Sequence, residues 1–509
     1  SATGARQCGD RPVPRPVIRS PILSNFLQIG KNFSEIGDKN SFSPPKTVQF
    51  SPISSKLERI SYFRKEQIYP NMIEHPPLLQ RQEIIAAALE PTTNEVKRLV
   101  DRLVNDYAYW TDIKYRAKNV ALAPERLWAH LKAERERKAV EAWPNFSIHF
   151  TLTSEMQRVC HETDLKFGGQ WGSQFQPDKA ARQKYLVCSI FEEAISSSQL
   201  EGASTTRRDA LRMLCNGEKP KDKGRLMIFN NYRTIRFLVE HKNEDLTPDL
   251  LMHIHALMTD QTLDKPEDAG RMRENNEVVV ENVITNEVVH RPPHYELLPQ
   301  FVEDLCRYFN NDSPTPFLHP LLRGIVIHFM VAYMHPFVDG NGRTARALFY
   351  WFMLRHDYWL MEYVSISAVI KKNKIAYERA YLQSEADGLD IGYFVNYHLR
   401  TLMRAFKELE DTLTRSKEEK KRAHDYMKID GIQPRQAKIL QLMQATPDDF
   451  FTVKNIQLHT GVTPTTAKSD LVRLMELGLV EEIPLNKVKR GYVLSRNFEE
   501  QLHKLRQHE

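Results

Sequence analysis

Apolar residues recur three and four positions apart along most of the chain, and this pattern predicts a mainly α protein. In EVKRLVDRLVNDYAYW, Val96, Leu99, Val100, Leu103 and Val104 share one helical face. Helical periodicity runs from about 80 to 143, and the charged run ERLWAHLKAERERKAVEAW reads as its last helix. Between 181 and 408 the same spacing predicts a helical bundle. One β-branched stretch, VVVENVITNEVV near 278–290, interrupts it and reads as a small hairpin turning at Thr285-Asn286. From 431 the order is helix (RQAKILQLM), helix (VKNIQLHT), turn at Gly461, helix after Pro464 (TTAKSDLVRLMEL), then two strands ending at Tyr492-Val493. That is the order of a winged helix-turn-helix domain.

Residues 1–71 lack either period and contain PVPRP and SFSPP, so a disordered leader is expected there. The remaining expected divisions are an N-terminal helical region at 72–180, the bundle with its hairpin at 181–408, a charged helix or linker at 409–430 containing RSKEEKKRAHD, and the winged-helix domain at 431–509. Net charge is +6, and all of it resides in the leader, where 11 Lys/Arg face 5 Asp/Glu. The rest of the chain is neutral, which removes the simplest argument for nucleic-acid binding. The 5 cysteines are scattered without a CxxC pair and fit reduced thiols. With no long apolar run and no signal-peptide order at the start, the expected location is cytoplasmic, without a membrane partner.

The stretch LLRGIVIHFMVAYMHPFVDGNGRTARALFYWFML, residues 321–354, carries the candidate chemistry. Leu322, Ile325, Val326, Phe329, Met330 and Tyr333 mark a buried helix, and Pro336 biases His335 away from helical geometry, so the helix ends near the histidine. Gly340-Asn341-Gly342 then forms a loop able to take positive φ before a second apolar helix. The N–H groups of such a helix start favour an anion, and Arg343 and Arg346 add forked donors suited to phosphate. Asp339 is a carboxylate suited to Mg²⁺ completed by water and phosphate oxygens. An imidazole such as His335 suits proton removal from a hydroxyl.

HPFVDGNGRTAR resembles the signature of the Fic family, HPF-x-(D/E)-GNGR-x-x-R, at every defined position. The resemblance implies a Fic-type catalytic domain over 181–408 that moves AMP from ATP onto a Ser, Thr or Tyr hydroxyl of a target protein or of itself. It implies His335 as base, Phe337 as the plug that fixes the loop, and Asp339 as the Mg²⁺ ligand. Gly340, Asn341 and Gly342 would form the anion hole, Arg343 would grip the outer phosphates, and Arg346 would bind the γ-phosphate. Gly270-Arg271-Met272-Arg273, the hairpin and Pro292-Pro293 are similar to the family's target-holding flap. Tyr377 stands where relatives carry an adenine-side Tyr-Tyr pair, but its neighbour here is Glu378.

A helix over LVCSIFEEAISSSQLEGAST, near 186–202, places Val187, Ile190, Phe191, Ala194 and Ile195 on its buried face and Glu201 against the negative end of its dipole. That placement calls for a compensating cation. Ser197, Glu201 and Gly202 match the family's inhibitory pattern (S/T)xxxE(G/N). The resemblance implies that Glu201 pairs with Arg346 and holds the enzyme in a low-activity state; some relatives use this glutamate to remove AMP. Rival readings are a Fic fold with phosphoryl or phosphocholine transfer, and a transcriptional regulator reading DNA through Thr465, Thr466, Lys468 and Arg473, with Lys487, Lys489 and Arg490 on the wing. Residues 431–509 carry only 11 Lys/Arg against 9 Asp/Glu, so a protein partner or a homodimer fits that domain as well.

Overall fold

The computed structural model describes residues 73–143, 146–165, 179–281, 287–427, 429, 431–445, 449–485 and 489–507. The leader, the Thr285-Asn286 turn and Lys487 lie outside these residues. The chain divides into two compact units between Leu399 and Arg400.

In the first unit, α1 (Arg81–Leu89), α2 (Asn94–Asn105), α3 (Trp110–Ala117) and α4 (Pro124–Arg137) form an N-terminal layer. The face read on α2 is buried at Val96, Val100, Leu103 and Val104, and Thr93 caps its start through a bond from Val96 N (3.3 Å). One expectation fails here. The charged run does not stay helical to Trp143: α4 ends at Arg137, and β1 (Ala139–Trp143) pairs antiparallel with β2 (Ile148–Thr151). The strand forms because Trp143 is fully buried, its ring 4.6 Å from that of Tyr308 and 5.8 Å from that of Phe301, a tertiary contact that helical periodicity does not reveal.

After α5 (Ser154–Thr163) come α6 (Lys179–Leu200), α7 (Arg207–Asn216), α8 (Lys223–Glu240) and α9 (Pro248–Thr259). The small hairpin follows as β3 (Val280–Glu281) paired with β4 (Val288–His290), and then α10 (Leu298–Asn310). The bundle's centre is α11 (Pro320–Met334) against α12 (Asn341–Arg355). Both are buried nearly all round, and Gly324 lets them approach, since a Cβ there would lie 3.2 Å from side-chain atoms of Phe349, Phe352 and Met353. Next come α13 (Ile366–Lys372), α14 (Lys374–Ala386) and α15 (Gly392–Met427), the last spanning the division between the units.

A buried ionic cluster docks the N-terminal layer onto the segment after α14. Arg135, 1% exposed, donates to Ala108 O (2.8 Å) and to the Tyr393 hydroxyl, and lies 3.6 Å from Asp387 and 3.8 Å from Asp390. Lys132 reaches Asp387 at 3.0 Å, and the Tyr107 hydroxyl donates to Asp390 while accepting from Thr151 N (2.9 Å). Within the second unit, α16 (Pro434–Ala445), α17 (Val453–Thr460) and α18 (Pro464–Glu476) precede β5 (Val480–Pro484), antiparallel to β6 (Arg490–Leu494), and α19 (Phe498–Gln507). Ile439, Leu440, Ile456, Ala467, Leu471, Leu474 and Leu479 form its core.

Arg135→Met should cost the first unit roughly 3 kcal/mol or more, because two buried carboxylates lose one of the two cations that meet them. Urea unfolding of the variant checks this; an unchanged midpoint would refute it.

Candidate active site

α11 terminates at Met334, and His335 closes it in the left-handed region (φ 47°, ψ 60°), its N–H bonded to Val331 O at 3.1 Å. The helix therefore stops where Pro336 requires, through a left-handed cap and not the extended conformation that a following proline favours. The His335 ring is fixed by Nδ1, 2.8 Å from Ala332 O. A carbonyl only accepts, so Nδ1 carries the proton and Nε2 keeps a lone pair. Burial pushes the imidazole pKa down to about 4, assisted by nearby His290 and Arg273 against the opposing pull of the Ala332 carbonyl and Glu201. His335 is a neutral imidazole with its lone pair on Nε2.

The loop after it is stapled from within. Asn341 Nδ2 donates to Phe337 O (2.8 Å) while its Oδ1 accepts from Phe337 N (2.9 Å), so this side chain is used on the loop itself. What Asn341 offers an anion is its backbone N–H. Phe337 is fully buried and stacks on His255, with ring centroids 3.7 Å apart. Gly340 caps α12 at φ 84°, where a Cβ would meet Thr259 Cγ2 at 2.8 Å, so a side chain is excluded twice over. The first helical bond in α12 runs from Thr344 N to Gly340 O (2.9 Å), which leaves the N–H groups of Asn341, Gly342 and Arg343 as the helix's positive end.

Two arginines converge on this end. Arg343 is fully buried; Nη1 donates to Met258 O (3.2 Å), Nη2 lies 3.7 Å from Asp339 Oδ2, and Nε and Nη2 have no hydrogen-bond partner among the described residues. Arg346 is satisfied: Nε donates to Ser197 Oγ (2.9 Å), and Nη2 to Ser197 O (2.9 Å) and Glu201 Oε1 (2.9 Å). The three residues singled out on α6 and α12 thus meet. Glu201 follows the end of α6, in a turn closed by Gly202 N to Gln199 O (3.2 Å), with Gly202 at φ 92°. A Cβ added to Gly342 would fall inside the surface of Glu201 Oε1, so the carboxylate occupies the space that glycine leaves above the helix start. Burial opposes its charge, yet Arg346, Arg343 and Lys374 hold its pKa below the ordinary carboxylate value. The compensating cations that Glu201 required are these three.

Asp339 is 54% exposed on its side chain, and one oxygen accepts from Gly340 N. Among the described residues no three His, Cys, Asp or Glu side chains converge on a metal position. A lone exposed carboxylate fits Mg²⁺ held largely by water and by a ligand's phosphates, not a cage built from protein. Tyr377 departs from expectation. It is buried, its hydroxyl 3.0 Å from His328 Nε2 and 3.2 Å from the Tyr381 hydroxyl, so it supports the interior behind Arg346 instead of facing an opening.

Sequence reading missed His255 and Glu385, and placed Arg273 and the 278–290 hairpin in the flap without the bonds they make. His255 donates from Nε2 to Asp339 O (2.8 Å) and accepts from Gly270 N at Nδ1 (3.0 Å), bridging loop and flap, with a pKa lowered to about 4 chiefly by burial. Arg273 donates to His335 O (2.9 Å) and Pro293 O. His290 sits between Glu385 Oε2 (2.9 Å) and Tyr333 O (2.8 Å), two acceptors that favour an imidazolium; burial opposes the charge, and Glu385 raises the pKa nonetheless. Its ring is 6.4 Å from that of His335. A histidine on the apolar face of PDLLMHIHALMT was a readable signal for His255; nothing local marks Glu385.

Residues 245–353 match the sequence profile described as the Fic/DOC family. The chain is 23% identical over 286 residues to protein adenylyltransferase fic-1 of Caenorhabditis elegans, covering 54% of this chain and 50% of that protein. It is 33% identical over 110 residues to protein adenylyltransferase Fic of Nematostella vectensis, covering 21% and 22% respectively. The chain therefore spans half or less of the length of these relatives. Among solved structures, a Fic family protein from Desulfovibrio desulfuricans aligns at TM-score 0.43 with 18% identity, covering 68% of this chain and 98% of that one. Among the described residues, no helix is long and apolar enough to cross a membrane.

Both His335 and His255 should titrate near pH 4, well below the unfolded value near 6.5. A depressed histidine pKa means that the unfolded state binds the proton first. The stability each contributes is thus present above pH 6.5 and lost as pH falls toward 4, to the order of 3 kcal/mol for fully buried His255. NMR of the ring Cε1 resonances reads both midpoints, and values near 6.5 would contradict the burial argument.

Proposed function

We propose, from the Fic domain that residues 245–353 form, that this chain is a protein adenylyltransferase transferring AMP from ATP to a Ser, Thr or Tyr hydroxyl of a target protein or of itself, restrained by Glu201. The observation that carries the reading is a carboxylate seated on a helix start and two arginines, within reach of a neutral histidine base. An anion cradle filled by the protein's own anion is the arrangement expected of a restrained phosphate-binding enzyme.

In this reading His335 Nε2 takes the proton of the acceptor hydroxyl as its oxygen bonds to the α-phosphorus, and the bond between the α- and β-phosphates breaks to release pyrophosphate. The N–H groups of Asn341, Gly342 and Arg343 and the unpartnered donors of Arg343 hold phosphate oxygens. Arg346 receives the terminal phosphate once Glu201 gives it up. Mg²⁺, bound through Asp339, supplies charge neutralisation across the phosphates. Arg273 and His255 keep the flap against the catalytic loop, beside which the target segment pairs. Tyr377 bounds the nucleotide site from behind Arg346, and Glu201, once displaced, is also a group able to orient water for AMP removal.

For the second unit, the order of three helices and a two-stranded antiparallel sheet supports a winged-helix module. Asp470 on α18 is tied to Arg435 (2.6 Å) and Gln436 (3.1 Å), while Thr465 and Lys468 are exposed. Its weak charge balance favours a protein partner or a second copy over DNA. The cytoplasm is the proposed location.

Labelling with ATP carrying ³²P at the α-position tests the assignment. Glu201→Gly should label itself or a lysate protein at least about tenfold more than wild type, the equivalent of about 1.4 kcal/mol in the barrier. Adding His335→Ala should abolish the signal. Absence of α-label in every variant would exclude adenylyl transfer.

A further inference from the structure

Glu193, Ser197 and Glu201 form a stripe at a spacing of four residues along the last two turns of α6 and the residue after it, and the last two of the three touch Arg346 through hydrogen bonds. Glu193 is turned to the start of α13. Its Oε2 accepts from Ser365 Oγ (2.8 Å) and Ser367 N (3.0 Å), and its Oε1 accepts from Ser367 Oγ. Ser365 in turn caps α13 by accepting from Ala368 N (3.2 Å). A buried carboxylate with three donors from one short segment resists displacement, because moving it leaves both the charge and the donors unpaired.

The same segment grips the other end of the stripe. Lys374 Nζ donates to Leu200 O (3.1 Å), the carbonyl just before Glu201, and Lys371 Nζ reaches Gln199 Oε1. The 365–374 segment thus holds α6 on both sides of Ser197. Toward α8 the bonds are longer, from Asn231 Nδ2 to Ala194 O and Ser198 Oγ and from Ser198 Oγ to Met227 O, each 3.3 Å, while Gln199 Nε2 donates to Thr205 O (2.7 Å) and Arg207 Nε to Glu192 Oε2 (2.7 Å). Glu193 also lines a small interior cavity with Arg346, His328, Tyr350 and Ser367, so the anchor and the arginine it serves share one wall.

We propose that Glu193 is the positioning residue that sets the strength of the Glu201 restraint: by fastening α6 to Ser365 and Ser367 it fixes the height at which Ser197 and Glu201 meet Arg346. The inference rests on the reading of Glu201 as an inhibitor. Glu193 touches no reacting group; its charge also acts on Arg346, and the proposal concerns the part of its effect that passes through Glu201.

The test is an epistasis measurement with α-labelled ATP on the full chain. Glu193→Gln, which turns one acceptor into a donor facing donors, should label about fivefold more than wild type, the loss of a cap-sized interaction. Glu193→Asp, which keeps the acceptors, should be intermediate. Combined with Glu201→Gly, Glu193→Gln should add nothing, and full labelling by that double variant shows that the fold survives. A Glu193→Gln protein as silent as wild type beside an active Glu201→Gly overturns the proposal. So does a change of equal size in both backgrounds, or a silent double variant, since either makes Glu193 structural only. Silence of Glu201→Gly itself would instead remove the inhibitor reading beneath it.

Discussion

A guanidinium that is nearly sealed from water has to be met by acceptors, and the site is organised around meeting that of Arg346. Its position on α12 is dictated by burial on all sides of that helix, so partners must come to it. α6 supplies them as Ser197 Oγ, Ser197 O and Glu201 Oε1. The neighbouring Arg343 is equally buried but left with unpaired donors. One arginine is quenched by the protein, and the other keeps buried donors without a partner among the described residues, an asymmetry on which the proposed anion site rests.

Charge on the other side of the loop is managed with histidines. His335 and His255 are kept neutral by burial, and each has its tautomer set by a backbone carbonyl, while Glu385 raises the pKa of His290 against the opposing effect of burial. Three imidazoles within one site are therefore shifted in opposite directions, two down and one up. The pairing of His290 with Glu385 at the end of α14 links the flap strand to the segment that Asp387 and Asp390 pin to the N-terminal layer through Arg135. A layer distant in sequence is thus tied, through the 385–390 segment, to the strand that carries His290.

Much of this was legible in the chain. Periodicity located α2, α11 and α12, and the spacing of Pro336, Gly340 and Gly342 marked the loop. The four-residue step from Ser197 to Glu201 was visible as a motif, and so in principle was the earlier step from Glu193. What remained hidden was everything set by tertiary partners. Nothing local distinguishes Val140-Glu141-Ala142-Trp143 from a continuing helix until Trp143 finds Tyr308. Asn341 is a plausible phosphate ligand until its amide is seen bonded to Phe337. Tyr377 is placed on the adenine side by resemblance alone, and the enclosure of its hydroxyl by His328 and Tyr381 has no local signal.

The space that Gly342 leaves above the helix start has a consequence for how restraint scales. In the proposed enzyme the carboxylate that fills it is attached to the same polypeptide, so it competes with nucleotide at a fixed effective concentration set by the fold. Dilution cannot remove such a competitor, and neither abundance of the protein nor loss of a separate inhibitor alters the resting state. Only something that moves α6, or binds the displaced form better, changes the balance.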